Sequence, residues 1–426
     1  MILLAMLAAL LILLALRVPV AFALLIPSLI YILFEPNTTI SVASQQATSG
    51  VFDFAILAVP MFILLGNLAN ISGATDKMYD AAVALIGHLR GSLGYVNIAT
   101  SFGFSWISGA AIADAAAMGR VQVPAMVERK YSPEFSLGIT GASSLVAPMM
   151  PPSIPAIIYA VTAGVSISAL FAAGIIPALI IVLGLVVMVW YLTRDDDDLR
   201  MPKASAKDRV KLSIKALPMA GAAIIVLGGI LSGIFTPTEA SAIGVIYVAV
   251  LAIVYKNFNF RNIRDVLVNS VQTTGSILLI VASASLFGWV LAREQAPQIF
   301  GQLIFEITDK PLFFLIIVNI VLLIVGAVLE PTSAILVMTP VLIPLGEAYG
   351  LDPVHMGTMM IFNLMIGLLT PPVGLVLFVL SSVTKYPVTQ VIRGTVPFFV
   401  PMLITLFAVA FIPPLTLWLP HVLGII

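Results

Sequence analysis

The sequence predicts an all-α protein that crosses a membrane many times, and two observations predict it. Hydrophobic residues make up 61% of the 426 residues and charged residues only 9%, whereas a soluble domain is roughly 45–50% apolar and about 25% charged. Uncharged stretches of about 20 residues, the length that crosses the hydrocarbon core, recur along the chain. The alternation of a β-barrel is absent, so the spans are helices. These observations disfavour soluble enzymes, nucleic-acid binders and disordered scaffolds.

Net charge and the cysteine and histidine content exclude several kinds of partner and site. The formal net charge is zero, which implies no bulk attraction to a charged partner. The chain has no cysteine, which excludes disulfides and thiolate chemistry. Its three histidines, His88, His355 and His421, lack the close spacing of zinc ligands.

The candidate spans form two groups. Smooth apolar stretches lie near 2–16, 18–34, 55–72, 169–193, 216–235, 238–255, 265–292 and 395–423. Further apolar stretches are interrupted by Gly, Pro, Ser and Thr, at 91–119, 136–163, 311–340 and 356–383. The first sixteen residues have no basic segment before the apolar run, so they are predicted to be a transmembrane helix rather than a signal peptide.

Lysine and arginine positions orient the spans, because these residues accumulate in cytoplasmic loops. We place the strongly basic segment 194–215 in the cytoplasm and interpret its run Asp195–Asp198 as a solvated loop. Counting spans in both directions from this segment places 18 of the 20 lysine and arginine residues, Lys256 among them, in the cytoplasm. Only Arg293 and Lys310 lie outside.

This charge bias holds only if 91–119 and 311–340 are re-entrant hairpins, each entering and leaving the membrane on one side. The first then opens to the cytoplasm and the second to the outside. A repeated pattern supports a duplication with opposite orientation. At an offset of 220 residues the matches are Pro133 with Pro353, Pro151 with Pro371, Pro152 with Pro372, Gly174 with Gly394, and Pro177 with Pro397. Inverted repeats with broken helices are typical of secondary transporters.

The proline pairs predict where two helices break. Pro151 and Pro371 remove backbone donors, so the preceding carbonyls lose their helical partners. Backbone with unpaired polar groups is tolerated at membrane depth only where it is buried within the protein or lines a water-filled cavity. Freed carbonyls are hard oxygen ligands suited to Na⁺, and half-helix N-termini present N–H groups to an anion.

Three carboxylates are candidates for membrane depth: Asp114, Glu330 and Glu239. Intramembrane carboxylates are costly and suggest a function. Asp114 and Glu330 occupy similar places in the two predicted hairpins, and each could instead cap a half-helix. Glu239 follows Thr236-Pro237-Thr238 and is interpreted as a local cap.

The chain resembles the large membrane subunit of the TRAP transporters (tripartite ATP-independent periplasmic transporters) over nearly its whole length. The resemblance rests on Val59-Pro60-Met61-Phe62 with Gly66, Gly87-His88-Leu89-Arg90-Gly91, Ser105 through Asp114, Ser143 through Ser153, Leu170 through Pro177, Thr236 through Ala240, and Gly367 through Gly374. It implies the ion transporter superfamily fold, with two re-entrant hairpins and two broken helices working as an elevator. It also implies Na⁺-driven import across the bacterial inner membrane.

The same resemblance implies partners and sites. The partners are a small four-helix membrane subunit and a soluble periplasmic binding protein, and we expect neither to be fused to this chain. One Na⁺ site is expected at Ser105, Ser108, Ala147, Met150 and Pro151, and the other at Gly326, Thr332, Gly367, Thr370 and Val373. The substrate is expected to contact Ser108, Gly109, Asp114, Pro152, Ser153 and Pro372. Ala147 stands where the family usually has Gly, and Ala110 offers no hydroxyl at the first hairpin tip.

The expected division of the chain follows from these assignments. The units are scaffold helices at 1–90, a first transport unit at 91–193, a cytoplasmic loop at 194–215, further scaffold at 216–292, a second transport unit at 293–394, and a C-terminal helix at 395–426.

Other functions stay open at this stage. A self-sufficient Na⁺/dicarboxylate symporter with similar hairpins would need no binding protein. An intramembrane enzyme lacks a nucleophile–base or paired-aspartate signature. A pure scaffold subunit would show no Na⁺-dependent uptake. The sequence does not identify the substrate.

The topology can be tested directly, because single cysteines can be introduced into a chain that has none. A cysteine at position 203 is expected to resist an impermeant thiol reagent in intact cells and to react once the membrane is opened. The span count also places the loop 35–54 outside, and a cysteine at position 45 in this loop is the matched control that should react in intact cells. Labelling of position 203 in intact cells would reverse the topology.

Overall fold

The computed structural model describes residues 2–196, 199–255 and 259–426, and these residues form α-helices and no β-strand, which confirms the helical class. Asp197, Asp198 and Lys256, to which the charge map assigned places, lie outside the described residues. The helices are α1 Ile2–Ala15, α2 Val20–Phe34, α3 Ile40–Val51, α4 Ala58–Ile71, α5 Ala74–Ile86, α6 Ser92–Ser108, α7 Ala111–Glu128, α8 Pro133–Ser144, α9 Ile154–Ala163, α10 Ile167–Thr193, α11 Ala206–Leu231, α12 Pro237–Val254, α13 Phe260–Arg293, α14 Ala296–Ile307, α15 Pro311–Gly326, α16 Pro331–Ala348, α17 Pro353–Gly367, α18 Leu375–Thr384, α19 Val388–Thr395, α20 Phe399–Phe411 and α21 Pro414–Val422.

Several of these helices can cross a membrane. Within the described ranges, seven segments are long and apolar enough by length and composition, and α14 with α15 forms an eighth candidate, bent by 118°. The predicted loops also contain helices: α3 lies within 35–54, α14 within 293–310, and the first turns of α11 within 194–215.

The prediction of one C-terminal span near 395–423 is wrong. The candidate span begins earlier, at Val388, and ends at Phe411. Pro413 and Pro414 follow at once, and neither can donate a backbone hydrogen bond, so the chain turns and α21 begins as a separate short helix.

The two predicted helix breaks are present. The helix that precedes each break begins with a capping side chain. Ser132 caps α8 by accepting from Phe135 N–H at 3.2 Å, and Asp352 caps α17 by accepting from Val354 N–H at 2.7 Å. A proline follows each cap at the first helical position, where its missing N–H costs nothing. The helices then stop at residues 145–153 and 368–374, and α9 and α18 continue beyond. The Pro151–Pro152 and Pro371–Pro372 bonds are both cis.

The same helix pairings occur in the two halves of the chain. Hairpin 1 (α6 and α7) packs on α8, and hairpin 2 (α15 and α16) packs on α17. Each hairpin also reaches the other half, through α7 against α18 and α16 against α9. A second group is formed by α4, α5, α11, α12 and α13, and α2 and α3 pack on its α13. It meets the first group where α4 and α5 contact α6 and where α13 contacts α16.

A backbone contact joins the two halves where α8 meets α19. A Cβ added at Gly138 would collide with the carbonyl oxygen of Gly394, and one added at Gly394 would collide with that of Glu134. Glycine at both positions therefore allows α8 and α19 to touch through their main chains.

Substitution of Gly138 tests this joint. Gly138→Ala should lower the thermal stability of the purified protein, because the new methyl group meets backbone that has no rotamer with which to yield. Overpacking of this kind costs about 1–3 kcal/mol. Gly228→Ala is the control, since no heavy atom lies within 4 Å of its added Cβ. Equal melting temperatures for the two variants in detergent would contradict the contact.

Candidate functional site

A cavity of about 330 Å³ lies where both hairpin tips face the second group of helices. Hairpin 1 contributes its tip, from Ser108 to Ala113, and hairpin 2 contributes Glu330, Pro331 and Thr332. The start of α9, the end of α17 and the middles of α4 and α13 complete the wall. Three helix N-termini, at Ala111, Ile154 and Pro331, therefore reach one cavity.

The tip of hairpin 1 is a tight turn pressed against the first break. Gly109 ends α6 with a positive φ of 61°, and a Cβ there would collide with the carbonyl oxygen of Pro152. The hydroxyl of Ser153 donates to Pro148 O at 2.5 Å and accepts from Ala156 N–H at 3.2 Å, which caps α9. All residues from 145 to 153 are buried. The first break is thus covered by protein on all sides.

The tip of hairpin 2 meets the second break through backbone contacts. Val373 N–H donates to the carbonyl of Ala327 at 3.2 Å, and Gly326 and Gly367 touch main chain to main chain. In contrast to the first break, Pro371 and Pro372 are exposed.

The first predicted ion set falls at one place in the fold. Ser105, Ser108, Ala147, Met150 and Pro151 are all buried, and they lie on the last turn of α6 and on the break that Gly109 touches. The Ser105 hydroxyl donates to Phe102 O at 2.6 Å, and the Ser108 hydroxyl lies 3.4 Å from Ala110 O. Their oxygen lone pairs therefore remain available as acceptors.

The second predicted ion set is also clustered. Gly326 and Gly367 are in contact, and Thr332 follows in the first turn of α16. Thr370 and Val373 lie in the break itself and are half-buried. The Thr370 hydroxyl donates to Ile366 O at 2.9 Å, and that of Thr332 donates to Glu330 Oε1 at 2.8 Å.

The residues predicted to contact the substrate do not all reach the cavity. Ser108 and Gly109 line it. Asp114, Pro152, Ser153 and Pro372 do not belong to its wall. Pro152 and Ser153 are buried behind the tip, and Pro372 lies on the exposed side of the second break.

Asp114 is fully buried within α7. Neither carboxylate oxygen has a hydrogen-bond partner of normal geometry among the described residues, although the Ser101 hydroxyl lies beside it. Ser101 in turn bonds to Ser143 at 3.1 Å, and Ser143 donates to Asn97 at 2.7 Å. Ser101, Ser143 and Asn97 therefore form a buried hydrogen-bonded chain that joins hairpin 1 to α8, and Asp114 lies beside its Ser101 end.

The other two carboxylates are helix caps. Glu330 is the N-cap of α16 and accepts from Ser333 N–H at 3.2 Å. Glu239 forms a capping box with Thr236, whose N–H donates to Glu239 Oε2 at 2.8 Å. The local-cap interpretation is confirmed for Glu239, and for Glu330 it is the alternative that the structure supports.

Sequence reasoning missed the contribution of α4 and α13. Asn67 and Thr273 line the cavity, and Asn67 Nδ2 donates to Ser270 Oγ at 2.9 Å. A Cβ added at Gly66 would lie 3.2 Å from the carbonyl oxygen of Ser108, so α4 runs close to the tip of hairpin 1. The available signal was the polar run from Asn269 to Thr274 inside an otherwise apolar span.

Charge in the cavity wall comes from Glu330 alone among the described residues, and no lysine or arginine of that part of the chain lines it. An anion there would be met by N–H groups at helix N-termini, by hydroxyls and by any cation bound beside it. The arrangement of two hairpin tips and two helix breaks around one cavity is that of a polytopic membrane transporter.

Comparison with known proteins identifies the family. Residues 7–415 match the model described as "Tripartite ATP-independent periplasmic transporter, DctM component". The chain is 40% identical to the sialic acid TRAP transporter large permease protein SiaM of Vibrio cholerae, over 95% of each chain. It is 36% identical to the C4-dicarboxylate TRAP transporter large permease protein DctM of Pseudomonas aeruginosa, over 93% of each.

A further relative and a solved structure are also similar to this chain. The 2,3-diketo-L-gulonate TRAP transporter large permease protein YiaN of Escherichia coli is 33% identical over 94% of this chain and 95% of its own. The fold resembles the crystal structure of the Alcanivorax borkumensis YdaH transporter, with a TM-score of 0.60 and 13% identity over 92% of this chain and 95% of that one. The chain belongs to the DctM family, the large permease subunits of TRAP transporters, and is a transporter subunit rather than an enzyme.

Gly109 offers a test of the hairpin tip. Gly109→Ala should reduce uptake in proteoliposomes at least tenfold, because its methyl group would push the tip away from Pro152. Gly164→Ala is a matched control: its φ is +69°, so it bears the same left-handed strain of roughly 1–2 kcal/mol, but nothing lies within 4 Å of its Cβ. Equal loss of uptake in both variants would show that backbone strain alone is responsible.

Proposed function

We propose that this subunit imports a small organic anion across the bacterial inner membrane, coupled to Na⁺, by an elevator movement. The observation that carries the proposal is that each hairpin tip meets a helix break through backbone contact, and both tips open on one cavity. A static pore requires no such paired arrangement, whereas secondary transporters place substrate and ions at broken helices.

The chemistry of the two tips suits Na⁺. Na⁺ is a hard cation that prefers neutral or anionic oxygen ligands, and the breaks at 145–153 and 368–374 free backbone carbonyls from helical pairing. Ser105 and Thr370 already donate their hydroxyl hydrogens to nearby carbonyls, so their oxygens can face a cation without a competing proton. Two ions would bind, one at each predicted set.

The cavity suits a carboxylate. The names of the relatives specify sialic acid, C4-dicarboxylates and 2,3-diketo-L-gulonate, all of which carry carboxyl groups. The N-termini of α7, α9 and α16 meet at the cavity, and each presents partial positive charge. Na⁺ at the adjacent sets would supply the rest of the charge compensation, so that substrate and ions favour each other's binding.

The packing supports an elevator. The two hairpins and the two broken helices would form the moving domain, built as inverted repeats. The second group, with α4 and α13 at the cavity, would form the static scaffold. Gly66 gives that scaffold a close, side-chain-free contact with hairpin 1 at Ser108, so the scaffold and the moving domain would meet beside the cavity.

The family assignment favours the three-component system over the self-sufficient symporter. A small four-helix membrane subunit would bind the scaffold, and a periplasmic binding protein would deliver the substrate. Uptake by proteoliposomes that depends on the added binding protein would support this; full uptake without it would favour the symporter.

Thr370 tests the coupling. Thr370→Val keeps the side-chain volume and removes the oxygen, so the half-saturating Na⁺ concentration for uptake should rise roughly tenfold, equivalent to about 1.4 kcal/mol. Thr384→Val is the control, because Thr384 makes the same bond to its own helix, to Leu380 O at 2.6 Å, away from the break. An unchanged Na⁺ requirement in Thr370→Val would show that the Thr370 side chain does not bind Na⁺ and that at most its backbone does.

A further inference from the structure

The base of hairpin 1 holds another cavity, of about 570 Å³, that shares no lining residue with the candidate transport cavity. It lies at the first turn of α6, whereas the transport cavity lies at the last turn. The two ends of this 17-residue helix are roughly 24 Å apart at 1.5 Å per residue. The cavity is therefore separate from the tip of hairpin 1.

The linker segment 199–201, which lies between α10 and α11, forms one wall of this cavity and is fixed in place. The Tyr131 hydroxyl accepts from Leu93 N–H and donates to Leu199 O, each at 3.2 Å. Met201 N–H donates to Gly87 O at 3.0 Å. These bonds hold the linker across the base of the hairpin.

A buried donor faces the cavity without a partner. Ser92 opens α6 and is 0% exposed, and its hydroxyl has no hydrogen-bond partner of normal geometry in the described chain, although the Tyr131 phenol lies beside it. The preceding N-cap residue, Gly91, has no side chain with which to cap the helix. A buried polar group without a partner costs free energy, so the site favours a ligand that accepts hydrogen bonds.

The charged residues of the wall favour an anion. Arg129, Lys130 and Arg200 line the cavity together with one carboxylate, that of Glu128. Glu128 forms no ion pair with Arg129 or Lys130 in the part of the chain that the structure describes. The α6 N-terminus adds partial positive charge.

We propose that this cavity binds a phosphate group. A phosphate presents several strong acceptor oxygens, which match a helix N-terminus, a serine hydroxyl and a set of cationic side chains better than a single carboxylate does. Two sources share this chemistry. One is free phosphate, and the other is the headgroup of an anionic phospholipid, which basic pockets between helices bind on the cytoplasmic side of membranes.

Hydrogen exchange of the full chain across residues 87–94 and 199–201 separates these sources. With inorganic phosphate added to the purified protein at constant ionic strength, protection of both segments should rise and saturate if the ligand is free phosphate. If protection rises only in phosphatidylcholine vesicles that contain phosphatidylglycerol, and not in phosphatidylcholine alone, the ligand is a lipid headgroup. Unchanged exchange under both conditions overturns the proposal.

Two variants and one control make the test specific. Arg129→Gln should raise the half-saturating phosphate or phosphatidylglycerol content at least tenfold. Ser92→Ala should weaken the effect while leaving the unliganded protein as stable as before, because it removes a buried hydroxyl that has no partner. Lys207→Gln, on the exposed first turn of α11, should change nothing. Equal protection in Arg129→Gln and the parent chain would show adventitious charge binding and would also overturn the proposal.

Discussion

Backbone N–H and C=O groups inside an apolar medium must find partners within the protein, and this constraint governs both halves of the molecule. Proline pairs break α8 from α9 and α17 from α18, which leaves carbonyls without helical partners. The chain meets the constraint by bringing a hairpin tip against each break. At the first, the Ser153 side chain satisfies Pro148 O, and at the second, Val373 pairs with Ala327. The candidate cavity lies where the two hairpin tips come together.

The two helix breaks differ in how far the surrounding protein buries them. The first break is buried throughout, and the hydrogen-bonded hydroxyls of Ser101 and Ser143 lie behind it, with Asp114 beside Ser101. The second break exposes Pro371 and Pro372 and is backed by an amide pair, in which Asn363 donates to Asn319 Oδ1 at 2.8 Å. One break is thus sealed within the protein, and the other has an open side.

The sequence predicted much of this arrangement because prolines and glycines act locally. The proline pairs break the predicted stretches 136–163 and 356–383 as expected, and the Ser-Pro and Asp-Pro pairs at Ser132 and Asp352 start α8 and α17 three residues before those stretches. The ends of the C-terminal span were missed, because hydropathy does not register the break that Pro413 imposes on an apolar run.

The wall of the cavity was less predictable. Which face of α4 or α13 meets a hairpin depends on tertiary packing, so Asn67 and Thr273 could not be placed from local pattern alone. The same reason explains Pro372: a residue beside a break can face either side, and only the fold decides which.

The contact between Gly138 and Gly394 has a mechanical consequence. Side chains can yield by changing rotamer, but two main chains in contact cannot, so α8 and α19 form a stiff joint between the halves. A ligand that tightens one hairpin against its break therefore works against a body that includes the other. Strain is shared between the halves instead of being absorbed where it arises, so the two helix breaks behave as parts of one stiff body.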